Sequence, residues 1–346
     1  MDHVHGARDG GTRIVRARLA MLVGAIVVLA GIGASLAWAQ TGPAPIGTGV
    51  VVIETSLAGE GQAEGTGMVL TSSGRVLTNN HVIRGATTIK IVVPGTGRSY
   101  TANVLGYSVS NDVAVLRARG ASNLKTVSLG NSSTVRVGQA VKATGNAGGR
   151  GTLTSSTGRI TGVARTITVS DEDGGGQRLT GLIETSSELE PGDSGGPLFD
   201  AARRVIGMNT AATVGYAFRG TRGADGYAIP INRAAAIAKQ IVAGKTSPAV
   251  HVGDTAFLGV SVGSDDTRSS RAVIAGVVRG SAADTAGLAA GDVITSLGGH
   301  AISSPAELRS AILRAKPGAR MSVTYVDATT GAGESVTVTL GSGPPQ

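Results

Sequence analysis

Between residues 49 and about 228 the chain is cut repeatedly into short apolar runs separated by clusters of Gly, Ser, Asn and Asp. Val50–Ile53, Gly67–Leu70, Arg75–Thr78, Thr88–Val93, Val113–Arg117, Val141–Thr144 and Val205–Asn209 are each the length of a strand. Many short strands with frequent turns suit a sandwich or a barrel rather than βαβ units. The chain holds 54 glycines, roughly twice the usual share, which again favours turn-rich β structure over long helices. Aromatic residues make up only 3%, so the cores must be built from Val, Ile, Leu and Ala.

The 346 residues fit roughly two domains at ~100–200 residues each. Residues 40–48 and 246–255 read as linkers, bounding an all-β domain over 49–245 and a smaller α+β domain over 256–342. Three helices are expected. Pro230 to Gly244 is the first, with Asn232 able to cap it. Ser281 to Leu288 is a short one. Ser304 to Lys316 opens with Ser304 as N-cap, Pro305 at the first helical position and Glu307 completing a capping box. The closing Ser342–Gln346 (SGPPQ) reads as disordered.

A net charge of +8 would suit nucleic acid or an anionic surface. The basic residues are scattered, however, and no stretch interleaves them with aromatics, so a nucleic-acid partner is not expected. The absence of cysteine excludes disulfides and thiolate metal sites. The N-terminus bears on the compartment. Residues 1–18 form a basic leader with Arg8, Arg13, Arg16 and Arg18, and residues 19–39 follow as an uncharged apolar segment. Such a segment spans a bilayer, and the arginines keep the leader cytoplasmic. Ala37-Trp38-Ala39 also has the form of a signal cleavage site. A retained single-pass anchor and a cleaved signal both stay open, and both put the rest of the chain outside the cytoplasm.

The sharpest chemical signal is Gly192-Asp193-Ser194-Gly195-Gly196-Pro197. A nucleophilic serine needs a tight turn that presents its oxygen, and glycines permit such a turn. It also needs a base to take its proton. His81 follows an apolar run at once and is preceded by Asn79 and Asn80. A third group must hold the imidazole in the correct tautomer, and Asp112 stands at the mouth of the run Val113–Leu116. The chain order His81, Asp112, Ser194 is that of the chymotrypsin triad. Each residue alone has a plain structural reading; together they point to a hydrolytic serine site. Asp171–Gly176 lacks the ligand pattern of a calcium loop, and Gly145–Gly151 lacks the Lys-Ser/Thr of a phosphate loop. Neither a cofactor nor a metal is expected.

Gly65–Leu70, Leu77–Val82, Asn111–Leu116, Pro191–Pro197, Gly207–Thr210 and Gly226–Pro230 resemble the HtrA (Deg) family of trypsin-like serine proteases, and the resemblance extends over about residues 49–342. It is strongest to single-PDZ actinobacterial members, anchored or secreted. It implies a chymotrypsin-like domain of two six-stranded β-barrels with the triad between them. It implies that the backbone N–H groups of Gly192 and Ser194 form the oxyanion hole. Leu189, Thr210 and Ala211 match positions lining an apolar primary pocket, which would select small aliphatic side chains. Family members often carry Asn where this chain has Asp193.

Ala256–Val260 resembles the carboxylate-binding loop of PDZ domains, with Phe257, Leu258, Gly259 and Val260 offering backbone N–H groups to a peptide C-terminus. The last helix would form the other wall through Leu308, Ala311 and Ile312. The resemblance thus implies a serine endopeptidase acting on unfolded or damaged proteins, with peptide C-termini as PDZ partners and the membrane engaged through the N-terminal segment. Family members are often homotrimers, but this chain lacks an aromatic-rich N-terminal extension, so trimer and monomer both stay open.

Overall fold

The computed structural model describes residues 47–57, 61–170, 176–210, 226–264 and 271–346. The basic leader, the apolar segment 19–39 and the loop 171–175 lie outside the described residues, and so does Ala211. Among the described residues no helix is long and apolar enough to cross a membrane.

Six antiparallel strands make the first barrel: β1 (Val50–Leu57), β2 (Gln62–Val69), β3 (Arg75–Thr78), β4 (Ala86–Val93), β5 (Arg98–Ser108) and β6 (Val113–Ala118). They run in the order β5-β4-β1-β2-β3-β6, and pairing of β5 with β6 closes the ring. A second closed barrel follows from β7 (Ala140–Gly145), β8 (Thr154–Ser170), β9 (Gly176–Thr185), β10 (Pro197–Phe199), β11 (Val205–Thr210) and β12 (Gly226–Pro230). The two six-stranded barrels expected from the resemblance are both present.

The strand period of two explains how the barrels dock. On β1, Val51 and Ile53 fill the first barrel with Val76, Ile91, Ala114 and Leu116. Their neighbours Val50, Leu77, Val113 and Val115 face outward and join Val205, Met208 and Ile229 of the second barrel in a shared core. The interior of the second barrel is a separate cluster built on Val141, Ile160, Ile183, Leu198 and Ile206. Strands buried on both faces read as continuous apolar runs, as Val113–Leu116 does.

Helix α1 (Ile231–Val242) covers the shared core with Ile231, Ala234, Ile237, Ala238 and Ile241. Asn232 does not cap it. Pro230 holds the cap position without a side-chain bond, and Asn232 Oδ1 accepts instead from the Ser132 N–H.

The C-terminal body begins with β13 (His251–Val252), which adds to β5 of the first barrel. It continues through β14 (Thr255–Phe257), β15 (Val260–Ser264), β16 (Ala272–Val277), α2 (Ala282–Thr285), β17 (Val293–Leu297), β18 (His300–Ala301), α3 (Pro305–Arg314), β19 (Arg320–Val326), β20 (Gly333–Thr339) and β21 (Gly341–Gly343). The main sheet runs β15-β16-β17-β19-β20. Ser281 and Ser304 cap α2 and α3 as expected. The Glu307 carboxylate reaches one residue further back than a capping box requires, to the Ser303 N–H and hydroxyl.

The tail corrects an expectation. Gly341–Gly343 pairs with Thr255–Phe257. Beyond it Pro345 is buried, its carbonyl accepts from the Gly85 N–H (2.8 Å), and the Gln346 carbonyl accepts from Asn80 Nδ2 (2.9 Å). These bonds use backbone carbonyls, which no side-chain pattern reveals.

Candidate active site

The site lies where the two barrels meet, at residues that follow or precede the strands sharing their outer faces. His81 comes just after β3. Its ring Nδ1 stands 2.9 Å from Asp112 Oδ2, and its backbone N–H donates to Asp112 Oδ1 (3.0 Å). Asp112 is buried at 3% exposure, while the His81 side chain keeps 39% of its surface exposed. The Asp112 backbone sits in the left-handed region, at φ 52°. An aspartate adopts that conformation more readily than most residues but still at a cost. The cost is met by a dense set of bonds. Asp112 N–H donates to Val109 O (3.0 Å), Asn79 Nδ2 donates to Asp112 O (2.9 Å), and the Thr210 hydroxyl donates to Oδ2 (3.2 Å).

Burial acts to lower the His81 pKa, because it penalises the imidazolium. The Asp112 charge and its hydrogen bond act to raise it, and Arg84 opposes them. The carboxylate wins, and the pKa lies above the ordinary imidazole value of 6.5.

Ser194 is on the loop before β10, buried at 5% exposure. The loop is fixed against the first barrel. Thr66 N–H donates to Ser194 O (2.8 Å), and the Thr78 hydroxyl donates to Thr66 O (2.7 Å). Thr78 ends the strand that delivers His81, so the two loops share one bonded junction. Gly195 has φ 85°, and a Cβ there would fall 2.1 Å from Thr66 O and 2.3 Å from Thr78 Oγ1. Only glycine fits that approach.

The peptide planes around Gly192 are set one by one. In a trans peptide the C=O and N–H point in opposite directions. Pro191 O accepts from the Gly148 N–H (2.8 Å), so the Gly192 N–H points away from Gly148. Asp193 O accepts from the Gly196 N–H (3.0 Å), so the Ser194 N–H points away from Gly196. Between them, Gly192 O accepts from the Thr66 hydroxyl (2.7 Å).

Asp193 is buried at 6% exposure. Its Oδ2 accepts from the Glu190 N–H (3.0 Å), but Oδ1 has no hydrogen-bond partner. Burial raises its pKa; the bond from Glu190 opposes this and the Glu190 charge adds to it. The carboxyl lines a polar cavity of about 490 Å³ with Arg150, Ser155, Ser186, Glu188 and Glu190.

Of the residues expected in a specificity pocket, two are described: Leu189 packs beside Gly226, and Thr210 pairs with Tyr227 on the neighbouring strand. Leu189 is half-buried and packs on the second barrel's interior, and a Cβ at Gly226 would fall 2.8 Å from its Cδ1. Thr210 is buried, and its hydroxyl donates to Asp112 Oδ2 (3.2 Å). Ala211 lies outside the described residues. In the C-terminal body, Phe257 ends β14, Leu258 is buried at 1% and Val260 opens β15. Gly259 has φ 89°. Leu308 and Ala311 are in that body's core, at 1% and 2% exposure. Ile312 is partly buried beside them. Among the described residues no group of three or more His, Cys, Asp or Glu could hold a metal ion.

Sequence reasoning gave no role to Thr66, Thr78 or Asn79. A hydroxyl residue between two glycines, just before the apolar Met68-Val69, is the one local signal for Thr66.

Comparison with known proteins agrees with this architecture. Residues 65–208 match the trypsin-like peptidase domain and residues 256–339 match the PDZ domain. The serine protease PepD of Mycobacterium tuberculosis is 36% identical over 310 residues, covering 84% of this chain and 63% of PepD. The periplasmic pH-dependent serine endoprotease DegQ of Escherichia coli is 33% identical over 267 residues, covering 74% of this chain and 55% of DegQ. The chain therefore spans somewhat over half the length of these relatives. The solved structure of the HtrA-type protease AlgW with tripeptide superposes with a TM-score of 0.50 at 28% identity, over 87% of this chain and 95% of that one. With a peptidase domain of two β-barrels and one PDZ domain after it, the chain belongs to the HtrA-type trypsin-like serine proteases.

Proposed function

We propose that the chain is a serine endopeptidase that cuts unfolded or damaged proteins outside the cytoplasmic membrane through an acyl-enzyme. The carrying observation is the His81–Asp112 pair: a half-exposed imidazole bound at Nδ1 by a buried carboxylate, which leaves Nε2 for a serine proton. Ser194 attacks the peptide carbonyl while His81 Nε2 takes its proton, forming a tetrahedral oxyanion. The Gly192 and Ser194 N–H groups donate to that oxyanion. Its collapse breaks the C–N bond, and His81 returns the proton to the leaving amine. Water, activated by the same imidazole, then releases the acyl group. Asp112 holds the tautomer and stabilises the imidazolium.

Leu189 supports an apolar primary pocket and a preference for small aliphatic residues before the cut. The loop Phe257–Val260, at the head of an edge strand, supports capture of peptide C-termini by strand addition. The periplasmic relatives and the apolar segment 19–39 support action beyond the membrane, either anchored or released. A homotrimer remains part of the proposal, to be read by light scattering.

The test is Ser194→Ala. Loss of both phosphonate labelling and casein cleavage is expected. Casein cleavage retained by the purified variant would remove the mechanism and point to a binding protein or chaperone.

A further inference from the structure

We infer that Thr66 is a positioning residue for the oxyanion hole, acting through its hydroxyl on the peptide plane between Gly192 and Asp193; this rests on the protease reading above. Thr66 is fully buried at 0% exposure and belongs to the first barrel, whereas the plane it holds belongs to the second. Its Oγ1 donates to Gly192 O (2.7 Å) and accepts from the Asn146 N–H (2.9 Å). A hydroxyl that donates once and accepts once has a set orientation, so the Gly192 carbonyl has one position to meet it.

The anchor on the far side is also fixed. Asn146 is buried, its Nδ2 donates to Glu64 Oε2 (2.8 Å), and its Oδ1 accepts from the Gly151 N–H (2.7 Å). Glu64 and Thr66 lie on the same face of β2, so one strand holds both ends of the relay. The methyl of Thr66 adds a steric limit, standing 3.1 Å from where a Cβ on Gly196 would be.

Gly192 has φ 97° and, as a glycine, can rotate its flanking peptides at little cost. Rotation of the 192–193 plane would turn the adjoining N–H groups away from a shared point. That plane is held at both ends, at its N–H by Glu190 O (3.0 Å) and at its carbonyl by Thr66, and the Thr66 hold is the one that ties it to the first barrel. Hydroxyl loss should therefore harm the step in which negative charge forms, and spare substrate binding.

The experiment compares Thr66→Val, which keeps the branched shape without the hydroxyl, with Thr66→Ser, which keeps the hydroxyl alone. Both are made in the full chain and assayed with an aliphatic peptide nitroanilide and a peptide boronate. In Thr66→Val, kcat should fall about 10- to 100-fold with KM within about twofold, a smaller loss than deleting a direct oxyanion donor. Boronate affinity should fall in parallel, because its tetrahedral adduct uses the same donors. Thr66→Ser should recover kcat to within about threefold. Should Thr66→Val not fold, Thr66→Ala replaces it in the same comparison. Wild-type kcat without the hydroxyl, equal losses in the two variants, or unchanged boronate affinity would each overturn the inference. Ser194→Ala run alongside separates the two readings: cleavage retained there removes the protease reading, whereas cleavage lost there but normal in Thr66→Val removes only the role of Thr66.

Discussion

Asp112 holds His81 at two points, accepting its backbone N–H at Oδ1 and its ring Nδ1 at Oδ2, 3.0 and 2.9 Å away. The double contact fixes the ring's position as well as its tautomer. Asp112→Asn can keep the geometry while presenting an amide N–H to the ring. The expected result is a loss of kcat of about 10⁴-fold with little change in Tm. A loss below about tenfold, measured on casein or a peptide nitroanilide, would remove Asp112 from the mechanism.

The pH profile should follow from the same pair. His81 must be neutral to accept the serine proton, and its pKa lies above 6.5. Activity should therefore rise with pH through a midpoint above that value. The linkage runs the other way for stability. A raised folded-state pKa contributes stability fully present below about pH 6.5 and lost as pH rises through the folded value. The measurement is kcat/KM against pH, where a midpoint below 6.5 would contradict the pairing.

Asp193 should be a stability cost near neutral pH. Its carboxyl is buried, has one unpartnered oxygen and titrates above the usual range. Burial without a partner disfavours the charged form, so stability falls as pH rises through the raised pKa and is restored below the ordinary carboxylate value. Asp193→Asn removes the charge and keeps an acceptor for the Glu190 N–H. It should stabilise by about 1 kcal/mol at pH 7, and the gain should shrink in acid. Denaturant melts at two pH values decide it, and a less stable variant at pH 7 would refute the assignment.

The nucleophile turn should tolerate no side chain at Gly195. An alanine Cβ would meet Thr66 O at 2.1 Å and require φ 85°. Gly195→Ala should lose at least about 100-fold in kcat, as expected when the donors beside Ser194 shift. Near-normal phosphonate labelling of the variant would count against the packing described.

Removal of Pro344–Gln346 takes an acceptor from the Gly85 N–H and another from Asn80 Nδ2, and exposes the site of Pro345. A loss of about 1–2 kcal/mol is expected from the two bonds. Chemical denaturation of the shortened chain measures it. An unchanged midpoint would mean the tail contributes nothing.

What the sequence made legible was chemistry carried by side chains in their own local pattern. His81, Asp112 and Ser194 each sit beside a readable run, and short apolar runs such as Val50–Ile53, Val113–Arg117 and Val205–Asn209 marked strands of both barrels. What stayed hidden was decided by contacts across the fold. The Thr210 hydroxyl bond to Asp112 depends on the packing of β11 beside residue 112, which no local pattern reveals. Asn232 has the right type for a helix cap, but Ser132 competes for it. The tail looked structureless because Ser, Gly and Pro bury little, whereas its bonds come from main-chain carbonyls.

The left-handed backbone at residue 112 sets two selections against each other. In a saturation library at that position, screening for folded protein alone should enrich Gly and Asn, which adopt a positive φ at least expense. Screening the same library for hydrolysis should return Asp. The residue most favoured by the chain's conformation and the residue demanded by its chemistry are then different amino acids, and sequencing both pools would display the divergence directly.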